Sequence, residues 1–195
     1  MNPNAVAAAN HYIAKGIAKI PAVGIVSVFD AGESGLDPTK ENNSGTEKGG
    51  VLNPDGAIGL AQLNAERQQR LANFAKKKGL DWRDLNTQLD FTLTEAWDYY
   101  SIVKDAILRP GIDLEDFITV FVEKYEIPGD PASEISRSLA EAQALFPLVG
   151  LPPPSPTPTP SPSPTPTPMP TLVTITLSFD PATGTLKSFS STTGA

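Results

Sequence analysis

The chain has 195 residues, no cysteine, a single histidine and a formal net charge of −7. Without cysteine there can be no disulfide-stapled fold, thiol nucleophile or thiolate metal site, and His11 alone cannot supply the imidazole cluster of a usual zinc centre. The acidic balance argues against nucleic acid as a partner, since phosphates would be repelled.

The chain opens on an alanine-rich run. Asn4 is expected to cap a helix that continues to about Ile20, with His11 on a small-residue stretch where a structural role is expected. Pro21 suits the first turn of a second helix through Val23, Ile25, Val26, Val28 and Phe29, and Gly24 inside it permits close packing against a neighbour. This apolar stretch, residues 17–29, contains Lys19 and Pro21 and is too short to span a membrane. No basic region followed by an apolar core precedes it, so no secretory signal is expected.

Residues 35–56 form a long Gly-, Asn- and Asp-rich loop, and loops of that length tend to be functional. Its Gly45-Thr46-Glu47-Lys48-Gly49-Gly50 lacks the order of a phosphate-binding P-loop. Helical character is expected again from about Ile58. A longer helix follows over residues 64–78, with Gly79 as its stop and Lys76, Lys77 and Lys78 as a solvated end. The spacing of Leu85, Leu89, Leu93, Ala96, Tyr100, Val103 and Ile107 predicts one amphipathic helix over residues 85–108. Pro110-Gly111 ends it. Asp113 caps a helix carrying Leu114, Phe117, Ile118, Phe121 and Tyr125, and Asp130-Pro131 starts a last one that runs to Phe146.

At residue 151 the composition changes. Residues 151–170 alternate Pro with Ser and Thr, a polyproline II spacer with no core. Residues 171–190 then alternate Val173, Ile175, Leu177 and Phe179 with Thr174, Thr176 and Ser178, which predicts a strand. Asp180-Pro181-Ala182-Thr183-Gly184 is a turn, and residues 185–190 are a second strand. A lone hairpin is marginal in water, so this one is expected to pair with another chain, by strand addition or self-association. The expected architecture is a mainly α domain over residues 1–150, a linker over 151–170 and a β-hairpin segment over 171–195.

Glu33 is the candidate with the most chemistry. It sits in Ala31-Gly32-Glu33-Ser34-Gly35, where an apolar helix ends. The helix macrodipole and the apolar turns before it both disfavour a carboxylate and raise its pKa, as a proton donor for glycosidic cleavage requires. Ser34 could orient the carboxyl group. Downstream come Gly35-Leu36-Asp37-Pro38 and Gly59-Leu60-Ala61-Gln62, then Arg67, Thr87-Gln88-Leu89-Asp90-Phe91 with Glu95, and Phe121 with Tyr125-Glu126-Ile127-Pro128. With these, in order over residues 10–130, the chain resembles the phage tail lysozyme family, relatives of lytic transglycosylases and goose-type lysozymes.

The resemblance implies a lysozyme-like helical domain that cuts the bond between N-acetylmuramic acid and N-acetylglucosamine in peptidoglycan. Glu33 would be the catalytic acid, and Ser34, Gly59, Gln62, Tyr125 and Glu126 would form the sugar site, with Tyr125 and Glu126 facing the cleft. Leu63 departs from the family's frequent aromatic residue there, which removes a stacking surface. Asp37, Glu41, Glu47, Asp55 and Glu126 are candidates for a second carboxylate. Relatives that transglycosylate do without one, so hydrolysis and transglycosylation both stay open.

No metal or cofactor is expected. The absent signal, the acidic charge and the unpartnered hairpin fit delivery by a phage particle, with other virion proteins as partners. A virion protein that has lost activity and an endolysin acting at lysis are the alternatives.

Overall fold

The computed structural model describes residues 2–32, 34–42, 56–150, 173–179 and 186–193. Two units emerge, Met1–Pro152 and Pro153–Ala195. The first is mainly helical.

Helix α1 spans Ala5–Ala14. It is shorter than the sequence suggested, because Gly16 takes a left-handed turn (φ 87°) and the Ile17 N–H returns to the Tyr12 carbonyl at 3.1 Å, a Schellman closure. Asn4 makes no side-chain cap. The anchor is Asn2 instead: its backbone N–H donates to Asp30 at 2.9 Å and its amide to the Gly35 carbonyl at 2.6 Å. The N-terminus is thereby tied to the segment that follows α2.

Helix α2, Lys19–Ala31, is the central element, with Pro21 in its first turn as expected. Every residue from Pro21 to Phe29 is buried, because α1, α6 (Leu114–Phe121) and α7 (Pro131–Leu145) all pack on it. A helix that is apolar all round needs such a surrounding shell. Gly24 makes one contact possible: a Cβ there would lie 2.4 Å from the Phe117 ring.

The segment after α2 holds a small antiparallel sheet in the order β1 (Glu41–Asn42), β2 (Ala57–Ile58), β3 (Leu63–Asn64). Residues 57–58 are therefore strand, where helix was expected. Two-residue strands are too short to show the alternation by which strands are read.

Helix α3, Ala65–Lys78, ends at left-handed Gly79 (φ 68°), as expected. The single helix predicted over 85–108 is two: α4, Leu85–Tyr99, and α5, Ser101–Leu108. The break is Tyr100 (φ −125°, ψ 69°), whose ring meets Tyr125 edge-on at 5.1 Å. No glycine or proline marks it; a tertiary aromatic contact accompanies the bend. Asp84, Asp113 and Asp130 each cap a helix by accepting the backbone N–H of its third residue. One π-helical turn, Val122–Glu126, follows α6, and a 3-10 turn, Phe146–Leu148, follows α7.

His11 has the structural role expected, with Nε2 2.7 Å from Asp90 on α4. Burial opposes ionisation of Asp90, but hydrogen bonds from His11 and Lys15 outweigh it and hold the carboxyl below its ordinary range.

In the second unit, β4 (Val173–Phe179) pairs antiparallel with β5 (Leu186–Thr193), in a register running from Val173 opposite Thr193 to Phe179 opposite Leu186. The second strand runs further than the residue pattern indicated. Ile175 and Leu186 are exposed. The linker lies outside the described residues.

Candidate active site

Three segments enclose a cavity of about 360 Å³ in the helical unit. The first wall is the end of α2. Gly32 closes the helix in extended conformation, its N–H bonded to the Val28 carbonyl at 3.0 Å. The Ser34 hydroxyl donates to the Phe29 carbonyl at 2.7 Å, satisfying an acceptor that the helix end leaves free. Val28 and Gly32 line the cavity.

The second wall is the turn Leu60-Ala61-Gln62. Gln88, buried on α4, pins it: Oε1 accepts from the Leu60 N–H at 2.8 Å, while Nε2 donates to the Pro38 and Trp82 carbonyls at 2.7 and 2.8 Å. Gly59 has φ 72°, and a Cβ on it would lie 2.3 Å from Gln88 Oε1. Gly59→Ala combines left-handed strain with displacement of this amide. We expect a loss of about 2–3 kcal/mol in urea unfolding; a loss near zero would show that the turn is not pinned by Gln88. Gln62 is itself left-handed (φ 41°) and donates its amide to the Gly59 carbonyl at 2.9 Å. Its Oε1 is inaccessible and has no hydrogen-bond partner among the described residues.

The third wall runs from Glu126 through Pro128, Gly129 and Asp130 to Ser133, Glu134 and Arg137 on α7. Glu134 is buried and paired with Arg137. Burial pushes the Glu126 carboxyl up to about 8; Arg67 opposes this, and Glu134 and Glu95 add to it. A neutral carboxyl group at neutral pH therefore stands in the wall.

A family model described as phage tail lysozyme matches residues 3–148. The chain belongs to the phage tail lysozyme family. Membership carries a lysozyme-like, peptidoglycan-degrading function and an association with phage tails. None of the curated proteins compared with it matches.

In this member of the family the residues singled out from sequence separate into two groups. Gln62 and Glu126 line the cavity. Ser34, Gly59 and Tyr125 stand behind it. Ser34 is buried and spends its hydroxyl on the α2 terminus, where it was expected to orient a carboxyl group. Gly59 supports the turn from beneath. Tyr125 was expected to meet sugar, but it is fully buried, donating its hydroxyl to Glu95 at 2.9 Å and stacking on Phe121 at 4.7 Å. Leu63, where the family often has an aromatic residue, is likewise in the core and is not among the residues of the cavity wall.

Glu33 lies outside the described residues, as do Glu47 and Asp55. Its neighbour Gly32 lines the cavity. Among the second-carboxylate candidates, Asp37 is held below the ordinary carboxylate range by hydrogen bonds from the Thr39 hydroxyl and backbone N–H. It is not in the cavity wall, and neither is Glu41.

Glu134 and Arg137 escaped the sequence reading. The Asp130 cap places them in the first two turns of α7, but nothing local shows that this helix starts beside the end of α2. No group of His, Asp or Glu among the described residues could hold a metal ion. No described helix is long and apolar enough to cross a membrane.

Proposed function

We propose that this chain cleaves the glycan strand of peptidoglycan between N-acetylmuramic acid and N-acetylglucosamine, with Glu33 as the proton donor. The observation that carries the reading is the cavity at the end of α2, inside the matched family region, with Gly32 in its wall and Glu33 next in the chain. Glu33 protonates the glycosidic oxygen, and Gln62 and Glu126 hold the sugar. Ser34, Gly59 and Tyr125 support the site without touching substrate.

The described cavity wall has no solvated carboxylate dedicated to activating water: Glu134 is paired with Arg137, Glu126 is neutral, and Asp130 caps α7. With Glu47 and Asp55 outside the described residues, hydrolysis and closure by the substrate's own hydroxyl, the lytic transglycosylase route, both stay open. Mass analysis of fragments released from purified peptidoglycan tests both points. Anhydromuramyl ends, lighter by one water than hydrolysed ends, support transglycosylation. Hydrolysed ends point to a water-activating carboxylate, and no released fragments would sink the cleavage reading in favour of an inactive virion protein.

We further propose that the enzyme is carried by the phage particle, with the 151–170 segment as spacer and the hairpin as attachment. The exposed apolar side chains Ile175 and Leu186 support a binding role for the hairpin. Deleting residues 171–195 is expected to leave activity on purified peptidoglycan intact and to remove the protein from purified particles, read by immunoblot. Unchanged incorporation would refute the attachment.

A further inference from the structure

Four features converge on residues 122–127. The turn Val122–Glu126 is π-helical, closed by the Ile127 N–H on the Val122 carbonyl at 2.8 Å. Such turns are rare and are found disproportionately at functional sites. Ile127, a β-branched residue, is left-handed (φ 53°) and exposed, a costly conformation that persists only where surrounding structure enforces it. The Glu126 Oε1 is inaccessible and has no hydrogen-bond partner among the described residues, although the side chain lines the cavity. The fourth is Arg67 on α3. Its Nη1 donates to the Tyr125 carbonyl at 3.2 Å, in the peptide group that carries the Glu126 nitrogen. Its Nε and Nη2 grip Glu95 on α4, Nη2 at 2.9 Å, and its guanidinium lies over the Tyr125 ring at 4.4 Å.

We propose that the Glu126 carboxyl group donates a hydrogen bond to an acceptor oxygen of the glycan in the cavity, and that Arg67 is its positioning residue. This rests on the peptidoglycan reading above. A carboxylate can only accept, whereas a neutral carboxyl group can donate. Burial keeps Glu126 neutral up to about pH 8. The charged groups around it are Arg67 from α3, Glu95 from α4, and Glu134 with Arg137 from α7; Asp130 stands in the same wall. Tyr125 lies at the end of the helical segment, where carbonyls have no intrahelical partner, and Arg67 captures its oxygen. Glu126 thus sits between a captured carbonyl and a left-handed residue.

The test is co-sedimentation of the full-length Glu33→Gln protein with purified peptidoglycan, which removes cleavage and the titration of Glu33. Binding is expected to weaken about tenfold as pH rises through about 8, because the donor becomes a carboxylate. Adding Glu126→Gln keeps a donor that does not titrate, so binding persists and this pH dependence disappears. Removing the Arg67 cation with Arg67→Gln moves the midpoint to higher pH. Removing the Glu95 anion with Glu95→Gln moves it to lower pH, and that isosteric variant tests the titration of Glu126 if Arg67→Gln does not fold. Arg67→Lys keeps the cation but not the fork that holds both Glu95 and the Tyr125 carbonyl, so it is expected to weaken binding below about pH 8; a merely structural role lowers the melting temperature and leaves that binding in place.

The donor role is overturned if the Glu126→Gln protein shows the same pH dependence as its parent. The positioning role is overturned if Arg67→Lys binds as tightly as its parent below about pH 8. Failure of wild type to release fragments would refute cleavage but leave the binding result standing; absence of binding at every pH would overturn the donor role as well.

Discussion

Glu33→Gln is expected to lower the rate of glycan cleavage by about 10²–10⁴-fold, the span that a general acid contributes to such reactions. The amide has nearly the shape of the carboxyl group but no proton to transfer to the leaving oxygen. Fold stability is expected to change by less than about 1 kcal/mol, because the local anchors lie elsewhere. Ser34 caps α2 from one side of Glu33, Gly32 closes it from the other, and Asn2 ties down Asp30 and Gly35. The readout is reducing-end release or fragment release from purified peptidoglycan, beside a thermal melt of each protein. A variant as active as wild type would remove Glu33 from the mechanism. A variant that is inactive but also unfolded would fail the anchoring argument, and Glu33→Asp would then be the sharper probe: it keeps the proton and shortens the reach.

Glu95→Ala carries the largest expected effect on stability, a loss of about 3–5 kcal/mol. Glu95 is 1% exposed and accepts hydrogen bonds from Arg67 and from the Tyr125 hydroxyl, with Arg70 3.3 Å away. The truncation leaves two arginines and a phenol facing a small apolar residue, and the Arg67 side chain is only 13% exposed. Solvent cannot repay that cation, so the penalty is the desolvation of an unpaired charge as well as the lost bonds. In a domain of this size the melting temperature would fall by on the order of 10 °C. Urea unfolding gives the free energy directly; a loss under about 1 kcal/mol would mean that water reaches the site. Glu95→Gln is expected to be milder, since the amide oxygen still accepts.

The two substitutions mark the difference between what was legible in the chain and what was not. The Gly59–Gln62 turn and the Tyr125–Pro128 segment, which contribute Gln62 and Glu126 to the cavity wall, could be picked out because they are short motifs of adjacent residues. The helix stop at Gly79 and the helix start at Asp113 were legible because capping chemistry is local: one left-handed glycine or one carboxylate satisfies groups within a turn of itself. The helical stripes could be read because amphipathic periodicity reports one face of burial.

The direction of a side chain is not local. Tyr125 and Glu126 are adjacent in sequence, yet Tyr125 is sealed in the core beneath Arg67 while Glu126 lines the cavity. Tyr100 breaks a helix that its own periodicity continues, where its ring meets Tyr125.

By itself, then, the sequence determined a mainly helical unit and a change of character at residue 151. It did so because turns, caps and periodicity are set by neighbours along the chain. Only the tertiary structure decided that Gln62 and Glu126 share a cavity while Ser34, Gly59 and Tyr125 hold it up, and that Glu134 and Arg137 complete its wall. Those assignments depend on α7 lying along α2 and on Arg67 reaching a carbonyl 58 residues away. Contacts at that separation leave no periodic or capping signature in the residues that make them.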